Sequence, residues 1–518
     1  MSVERDVELR SEFLQVAYRV FMRSREPLSA KAVIERARRE GMLSDKIAGR
    51  TPSQTMKSKL SVHIRKYGDR SPFVRTKPGR FYLRALLTSS SAEYVAQPLR
   101  PPPARENIVA FPTSRLEGDR FQGVKTAWTK RYRRLFGSSP LETLPRLDAE
   151  ERDDVKQVLT YVLVTRGTSV LSYRRGVYNR VEDSLRGARC VGFGGHVRES
   201  DRSLFSDDFA GISEGAVREL NEELKFNTLD RRRLSDGEGL RVVALLNDDS
   251  SAVGRRHFAV VMQFEVADES WNPERAEKSI TQLRWITPTD GPRLRLHEFE
   301  YWSQLCLREF FPDLLSGSPG FTLARRSRLR PPRVLCFVGG LGSGKSEAAD
   351  VLRRQHSYAE VNSGLVLAQL LGMPPIPESP RNEFQERAFR FISRDNGPVE
   401  LGNAISVAVE ATGSERVLID GIRHRATLEA VRDGLRPRGI GVVYVHSTPD
   451  LALRLYESRL GERVDPLSFF ELQSAPVEVE AASLMSIADG VVYNWFGKTA
   501  FRGTVLDMCD AIPVGDSS

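Results

Sequence analysis

The sequence has few cysteines and no long apolar run. Its four cysteines are far apart and form no Cys-x-x-Cys pair, so we expect neither a zinc site nor a disulfide framework. No stretch approaches the roughly 18 apolar residues of a membrane span. The first ten residues are charged and contain no apolar segment, so we expect no secretory signal. These absences predict a cytoplasmic protein with no membrane partner.

The positive charge of the chain is concentrated at one end. The chain has 518 residues and a net charge of +9, and residues 1–86 contain 20 Lys and Arg against nine Asp and Glu. That segment alone therefore carries +11, and the remainder is close to neutral. A basic N-terminal module predicts a polyanionic partner. The alternative is a basic, solvated surface without a ligand.

Composition divides the chain into three domains. At roughly 150 residues per domain, this length predicts three to four domains. Residues 88–105 are rich in Ser and then Pro, and residues 316–332 combine Gly, Pro and basic side chains, which is typical of connectors. We therefore predict domains at 1–87, 106–315 and 333–518.

The N-terminal segment has the pattern of helices followed by a hairpin. Ser29 is placed to cap a helix that ends near Gly41. Met56, Leu60 and Ile64 recur every four residues, which predicts one buried stripe on a later helix. Two runs of apolar and aromatic residues then flank the turn sequence KPG. This combination predicts a winged helix-turn-helix.

This module resembles the HARE-HTH family, in the sequence TPSQTM and in SPFVRTKPGRFYLR. The resemblance implies a DNA-associated winged helix. Basic side chains on its surface would release counterions from DNA phosphates and make the binding salt-dependent. The alternative is a winged helix that docks onto a protein without contacting DNA. The predicted DNA-binding residues are Lys57, Lys59, Arg65, Lys66, Arg75, Lys77 and Arg80.

The middle domain contains a helical pattern with three glutamates near its end. Ser213 is placed to cap a helix over 214–226. Glu219, Glu222 and Glu223 follow helical spacing, which predicts that they share one face. Their mutual repulsion would be offset by Mg²⁺ or Mn²⁺, which prefer oxygen ligands. A solvated acidic face is the alternative.

The sequence around this helix resembles the Nudix box with a lengthened loop. Gly195 matches the box glycine, and Arg218 opens the run RELNEE that matches its core. Three features depart from the family pattern. Asp201 stands in place of a glutamate, the spacing before Arg218 is longer than the family's, and Lys225 replaces a glycine.

The resemblance to the Nudix family implies an α/β/α sandwich with a mixed sheet. It also implies metal-dependent hydrolysis of a nucleoside diphosphate derivative, with Glu223 as a catalytic residue. Arg218 is expected to orient the glutamates. The implied metal ligands are Glu219, Glu222, Glu223 and the carbonyl of Gly195. The general base is left open among Asp248, Asp249, Glu265 and His196.

The most specific motif in the chain opens the third domain. The sequence from Gly339 to Ser346 fits G-x-x-x-x-G-K-S, between an apolar run at 334–338 and an amphipathic segment. Backbone N–H groups and the helix N-terminus of such a loop bind phosphate. Lys345 is predicted to reach the β- and γ-phosphates of ATP, and Ser346 to bind Mg²⁺. The predicted phosphate contacts are Gly339, Gly340, Gly342, Gly344, Lys345 and Ser346.

The order of later motifs resembles small kinases of the adenylate kinase and dephospho-CoA kinase type, with a mostly parallel sheet. An apolar run at 417–419 predicts a buried strand that ends at Asp420, with Arg423 just beyond it. Asp420 is placed to bind the Mg²⁺ shell or to position the acceptor, and Arg423 to contact the nucleotide. A final short strand is expected to carry Asn494.

The same resemblance assigns roles in acceptor binding and in phosphate transfer. It makes Arg381 and Gln385 candidate contacts of the acceptor. Arginines suit a lid over the transferring phosphate because they stay charged and bind phosphate oxygens bidentately. The implied lid arginines are Arg454, Arg459 and Arg463, with Arg459 as a catalytic residue.

Together these patterns predict a multidomain protein with an N-terminal winged helix, a central Nudix-like sandwich and a C-terminal α/β P-loop domain. The leading hypothesis is a bifunctional enzyme that phosphorylates a nucleotide-like acceptor with ATP and hydrolyses a diphosphate-linked nucleotide. Its first 87 residues would associate with DNA. The alternatives are a nucleotide-responsive DNA-binding transcription regulator and a defence ATPase, both with little turnover.

Overall fold

The computed structural model describes most of the chain in two compact units. The first unit comprises Met1–Arg115, Gly123–Asn247 and Arg255–Ser318, and the second comprises Leu116–Gln122, Asp248–Gly254 and Pro319–Ser518. No described helix is long and apolar enough to cross a membrane. The described residues are 11–43, 52–87, 94, 106–137, 141–175, 187–202, 210–277, 280–323, 334–374, 381–436, 438–475, 478 and 480–511.

The N-terminal module is three helices and a small antiparallel sheet, which confirms the predicted winged helix. Ser29 caps the second helix, because its Oγ accepts the N–H of Ala32 at 3.1 Å. The sheet has the order β1-β3-β2, and β2 and β3 are joined at the predicted turn. Its elements are α1 (Glu12–Ser24), β1 (Leu28–Ser29), α2 (Ala30–Arg39), α3 (Pro52–Tyr67), β2 (Phe73–Lys77) and β3 (Arg80–Leu83).

The second sheet, in the middle of the chain, is mixed, as predicted. Its main path runs β15-β8-β7-β13-β12-β5, in which β7 and β13 are parallel and the other neighbours are antiparallel. The strands of this region are β4 (Asn107–Pro112), β5 (Gly123–Lys125), β6 (Glu142–Pro145), β7 (Val155–Arg166), β8 (Ser169–Arg175), β9 (Arg189–Cys190), β10 (Gly192–Phe193), β11 (Leu224–Lys225), β12 (Leu240–Asn247), β13 (His257–Glu265), β14 (Glu274–Arg275) and β15 (Ile280–Ile286). The helices are α4 (Thr129–Tyr132), α5 (Arg146–Glu150), α6 (Ile212–Glu223), α7 (Thr228–Ser235), α8 (Ala252–Arg255) and α9 (Tyr301–Phe310).

Helix α6 differs from its prediction at both ends. It begins at Ile212 after Gly211, whose φ of +73° is left-handed, and no side chain caps it. Ser213 therefore lies inside the first turn and is not the cap. The helix ends at Glu223, because the chain turns extended there and pairs with β14 through β11. The glutamates consequently occupy the last turn.

The third sheet is parallel except for one edge strand, as predicted. Its order is β16-β21-β20-β17-β19-β18, and only β16 runs antiparallel. β16 lies within 316–332, where we predicted a connector. The strands are β16 (Phe321–Leu323), β17 (Val334–Val338), β18 (Ala359–Asn362), β19 (Val417–Asp420), β20 (Ile440–Ser447) and β21 (Gly490–Asn494). The helices are α10 (Lys345–His356), α11 (Ser363–Leu370), α12 (Arg381–Ile392), α13 (Gly397–Ala411), α14 (Arg425–Gly434), α15 (Pro449–Leu460), α16 (Pro466–Gln473) and α17 (Lys498–Ala511).

Strand β17 occupies the centre of this sheet because its residues are apolar on both faces. Val334, Cys336 and Val338 belong to one buried cluster, and Leu335 and Phe337 belong to another on the opposite face. β19 follows on one side of β17 and β20 on the other. In open parallel sheets, ligands bind at such a reversal, beyond the carboxyl ends of the strands. The loop after β17 therefore stands at the expected place for a ligand.

Strand β10 makes a contact that only glycine permits, which generates a stability prediction. A Cβ on Gly192 would lie 2.0 Å from Cζ of Tyr161. The ring cannot move away freely, because the Tyr161 hydroxyl donates to Glu300 at 2.6 Å. We expect Gly192→Ala to lower the free energy of unfolding by about 3 kcal/mol, since overpacking forces the core apart. Urea titration of the full chain measures this change.

Gly137→Ala is the matched control within the same unit. A Cβ there meets nothing within 4 Å, so we expect a change within about 1 kcal/mol. Equal unfolding midpoints for the two variants would show that the Tyr161 ring yields and that the contact does not constrain the fold.

Candidate functional site

The phosphate loop connects the carboxyl end of β17 to the first turn of α10, in the order that the motif requires. Gly342 has a left-handed φ of +76°, and a Cβ there would lie 2.3 Å from the carbonyl oxygen of Ala452 in α15. No other residue fits that position. Gly340, by contrast, has open space where its Cβ would lie, so packing does not require a glycine there.

Lys345 is folded back onto this loop. Its Nζ donates to the carbonyls of Gly339 at 2.8 Å and Gly340 at 2.7 Å. Burial, followed by the positive charge of Arg423, lowers the pKa of Lys345 to about 8. A phosphate dianion at the loop would offer the ammonium a stronger partner than neutral carbonyls do.

Ser346 and Asp420 meet at the ends of α10 and β19. The Ser346 hydroxyl donates to Oδ2 of Asp420 at 3.4 Å. Asp420 is 5% exposed, and its Oδ1 is buried with no hydrogen-bond partner. A buried, unpartnered carboxylate oxygen is costly. The hydroxyl, the carboxylate and this orphaned oxygen fit a hard cation such as Mg²⁺.

Two side chains that the motif did not indicate hold the loop from outside. The Asn494 amide donates to the carbonyl of Ser343 at 3.1 Å, and the Gln473 amide donates to that of Leu341 at 2.8 Å. The sequence predicts Asn494 only as a strand residue, although its place at the end of β21 could have indicated a loop contact. No sequence signal pointed to Gln473.

The predicted lid arginines do not form one group. Arg454 is largely exposed on α15 and pairs with Asp450 at 2.9 Å. Arg459 is exposed and has no ion-pair partner among the described residues, and its charge also lowers the pKa of Lys345. Arg463 lies beyond the end of α15, because Gly461 caps the helix in a left-handed conformation. It is therefore not a residue of that helix.

Of the other residues predicted to contact the nucleotide or the acceptor, Arg423 is the one whose side chain the structure describes. Its Nε donates to Glu478 at 2.8 Å. Arg381 and Gln385 lie on α12, and their side chains are outside the described part of the structure.

A second candidate site lies at the last turn of α6. Glu223 is 8% exposed, and its Oε2 accepts the N–H of Gly194 at 3.0 Å. Burial, followed by the charge of Glu219, raises the pKa of Glu223 well above its usual range. Glu219 packs against Gly195, where a Cβ would lie 2.8 Å from the carboxylate. These two glutamates are brought together.

Arg218 organises the surroundings of these glutamates. It donates two hydrogen bonds of 2.8 Å to the two oxygens of Asp201 and one of 2.5 Å to Glu219. Asp201, which departs from the family pattern, thus serves as the partner of Arg218. Glu222 is exposed and is held by Arg198 at 3.2 Å.

The predicted set of metal ligands is realised only in part. No group of three or more His, Cys, Asp or Glu side chains in the described residues is arranged to hold a metal. Glu222 is exposed and pairs with Arg198 and Arg218, and the carbonyl of Gly195 accepts the N–H of Thr160 at 2.9 Å. Glu219 and Glu223 remain as two adjacent oxygen donors whose chemistry fits a divalent cation.

The candidate general bases lie in different environments. His196 contacts Gln157 at 2.8 Å and His257 at 3.3 Å, and burial lowers its pKa well below the usual range. It is therefore neutral and held in a polar cluster. Glu265 is exposed at the end of β13. Asp248 and Asp249 belong to the other compact unit, and Asp249 pairs with Arg120 at 3.3 Å.

The basic residues of the winged helix have distinct surroundings. Lys57, Lys59 and Lys66 are exposed on α3 and make no ion pair with any residue that the structure describes. At about 100° per residue, Lys59 and Lys66 lie roughly 20° apart, whereas Lys57 lies on the other flank of the helix. The exposed lysines of α3 therefore lie on two flanks of the helix.

The remaining residues predicted to contact DNA differ in their exposure and in their hydrogen bonds. Lys77 is exposed at the tip of the hairpin, and Arg80 is exposed but donates to the carbonyl of Pro27 at 3.0 Å. Arg75 is half-buried and donates to Ser61 at 2.8 Å, so it holds the hairpin to α3. The side chain of Arg65 lies outside the described part of the structure.

Comparison with known proteins identifies the first module. The HARE-HTH family model, described as an HTH domain of ASXL and restriction endonuclease proteins among others, matches residues 12–86. Among curated proteins, the chain is 28% identical over 161 residues to protein YmaB of Bacillus subtilis strain 168, which covers 31% of this chain and 73% of that protein.

Solved structures resemble the other two domains. Tm1382, described as a Nudix hydrolase, is 21% identical and covers 40% of this chain and 99% of its own, with a TM-score of 0.32. A gluconokinase from Sinorhizobium meliloti 1021 is 15% identical and covers 35% of this chain and 93% of its own, with a TM-score of 0.26. Because both TM-scores are below 0.5, the description of these domains depends on their own strand order and on the phosphate loop.

The lowered pKa of Lys345 predicts proton uptake on nucleotide binding. The folded chain holds fewer protons at Lys345 than the unfolded chain between pH 8 and the usual lysine value, so its stability rises with pH across that window. Phosphate oxygens favour the charged form and raise this pKa. We expect ADP binding at pH 9 to take up about one proton, and none at pH 6.5.

Isothermal titration calorimetry in two buffers of different ionisation enthalpy measures the uptake. Lys345→Met is the matched control, in which the uptake at pH 9 should disappear. Uptake that persists in Lys345→Met would assign the proton to another group.

Proposed function

We propose that the third domain phosphorylates a nucleotide-like acceptor with ATP and that the middle domain hydrolyses a nucleoside diphosphate derivative. The N-terminal module would associate with DNA. The observation that carries the proposal is the phosphate loop, in which Lys345 and the Ser346–Asp420 pair stand at the end of the central strand.

The charges around the loop support phosphoryl transfer. Lys345, Arg423 and Arg459 are close enough that each arginine lowers the pKa of the lysine. Such a group of cations stabilises the negative charge on a transferring phosphate. Bound Mg²⁺ would supply further charge neutralisation at Ser346 and Asp420. Asp420 would also position the acceptor, because its buried Oδ1 accepts no hydrogen bond from any residue that the structure describes.

The last turn of α6 supports a hydrolase. Glu223 is held by the N–H of Gly194, and Glu219 is held by Arg218, so both carboxylates have defined positions. A divalent cation bound there would neutralise a diphosphate and activate water. Glu223 is the residue we expect catalysis to need most, because it is the most buried of the three glutamates.

The second candidate function is a nucleotide-responsive DNA-binding regulator with little turnover. It is favoured by Glu222, which is paired with arginines and turned to solvent, and by the lack of a group of three metal-binding side chains in the described residues. A defence ATPase is a further alternative, and no contact among the described residues specifically supports it.

Turnover by the purified full chain tests the enzyme proposal. ATP and Mg²⁺ would be supplied with a panel of nucleosides, nucleoside monophosphates, dephospho-CoA and diphosphate-linked nucleotides, with products resolved by mass. We expect a phosphorylated acceptor that Lys345→Ala abolishes and Glu223→Gln leaves unchanged. We also expect a hydrolysis product that Glu223→Gln abolishes and Lys345→Ala leaves unchanged, since the two sites use different residues.

Two exposed residues provide matched controls for these variants. Lys498→Ala removes a lysine of α17, and Glu214→Gln neutralises the first turn of α6. Both should retain turnover. A chain that binds ATP tightly yet turns over nothing in the panel would overturn the enzyme proposal and favour the regulator.

The division of basic residues on α3 predicts which lysines contact DNA. We expect Lys59→Ala and Lys66→Ala each to weaken binding to a 20-base-pair duplex and to lower the salt slope by about one, because each removes one phosphate contact. Lys57→Ala, on the other flank, is the matched control. Fluorescence anisotropy across a salt series measures both quantities. If Lys57→Ala has the same effect as the other two, the contact surface is not the Lys59–Lys66 flank.

A further inference from the structure

Three arginines meet on one face of the middle sheet. In the strand register, Arg174 of β8 lies opposite Arg189 of β9, and Ser172 of β8 lies opposite Arg284 of β15. Residues two apart on a strand share a face, so Ser172 and Arg174 bring both partners to the same side.

Within the described part of the chain, Arg174 alone of these three arginines forms an ion pair. Arg174 donates to Glu298 at 2.6 Å and to the carbonyl of Gly187 at 3.0 Å. Arg189 donates to the Ser172 hydroxyl at 3.1 Å, and neither it nor Arg284 forms an ion pair with any described residue. Among the described residues, Glu298 pairs with Arg174, and Asp290 is close enough to Arg284 for this arginine to lower its pKa. Three guanidinium groups thus meet two described carboxylates, which leaves a net positive charge.

Burial makes this imbalance costly. Arg189 is 6% exposed, and burial followed by the charges of Arg284 and Arg174 lowers its pKa to about 9. Buried charges in proteins are normally paired, and an arginine carries five donors. Among the described residues, Arg189 donates to the neutral Ser172 hydroxyl and not to a carboxylate.

The backbone of β15 is distorted next to this cluster. The register of β15 against β8 shifts between Thr281 and Arg284, and Gln282 has a left-handed φ of +52°. Bulges re-aim side chains and are frequent beside functional sites. A strained residue that is not glycine persists where the surrounding structure enforces it. Here the bulge sets the position of Arg284 opposite Ser172.

We propose that Arg189, Arg284 and Ser172 bind a phosphate group. A phosphate group would supply negative charge to this net positive cluster, and its oxygens suit the planar donor array of arginine. The site goes beyond the proposed function, since binding here requires neither reaction and uses none of their residues. The phosphate would come from a nucleotide or from free phosphate.

Binding is measured in the full chain carrying Lys345→Ala, with EDTA present. The substitution weakens phosphate binding by the loop after β17, and EDTA removes metal ions. Inorganic phosphate, AMP and acetate are titrated while thermal unfolding and heats of binding are recorded. We expect phosphate or AMP to raise the Tm and acetate to raise it far less. Tighter binding of AMP than of inorganic phosphate would identify a nucleotide as the source, and equal binding would identify free phosphate.

Variants separate a binding role from a structural one. Arg189→Met should raise the Tm without phosphate, because it removes a poorly compensated buried charge, and should weaken phosphate binding at least tenfold. Arg284→Gln, which is exposed, should weaken binding without altering the Tm. Arg241→Gln on β12 is the control and should change neither.

Three results would overturn the proposal. The first is an equal response of Arg189→Met and its parent to phosphate. The second is a Tm that falls in Arg189→Met without phosphate, which would make the bond to Ser172 structural. The third is acetate binding as tight as phosphate, which would indicate a carboxylate site.

Discussion

The third domain depends on the close contact between the phosphate loop and helix α15. Gly342 approaches the carbonyl of Ala452 so closely that no side chain fits, and Leu341 is buried among apolar residues of α15 and α16. The loop and the first turns of α15 are therefore one packed body. The contact continues beyond the left-handed Gly461, because α16 also packs on Leu341 and Gln473 donates to the Leu341 carbonyl.

Charged groups in these sites lack full compensation in the unliganded chain. Lys345 is bound only by neutral oxygens, and Asp420 has a buried oxygen without a partner. Arg189 is buried between two other arginines. Each arrangement costs stability that a ligand of opposite charge would restore, which is the usual trade between stability and function. A chain selected for stability alone would pair these groups internally.

Features that depend on contiguous residues could be predicted from the sequence. The strand, loop and helix around Lys345 and the cap at Ser29 follow from local chemistry, and both appear in the structure. Contacts between residues far apart in the sequence could not be predicted in this way. Helix α6 is preceded by Gly211 as its cap position and not by Ser213, and the arginine cluster forms through the register of β8, β9 and β15.

The charge balance at the end of α6 explains why the departure at Asp201 is compatible with a metal site. Four carboxylates, those of Glu106, Asp201, Glu219 and Glu222, pair with Arg198 and Arg218, which is an excess of two negative charges over the two arginines. Asp201 occupies two donors of Arg218 and thereby prevents this arginine from neutralising the glutamates fully. Burial, followed by the charge of Glu219, raises the pKa of the neighbouring Glu223. One divalent cation would balance the excess of two negative charges.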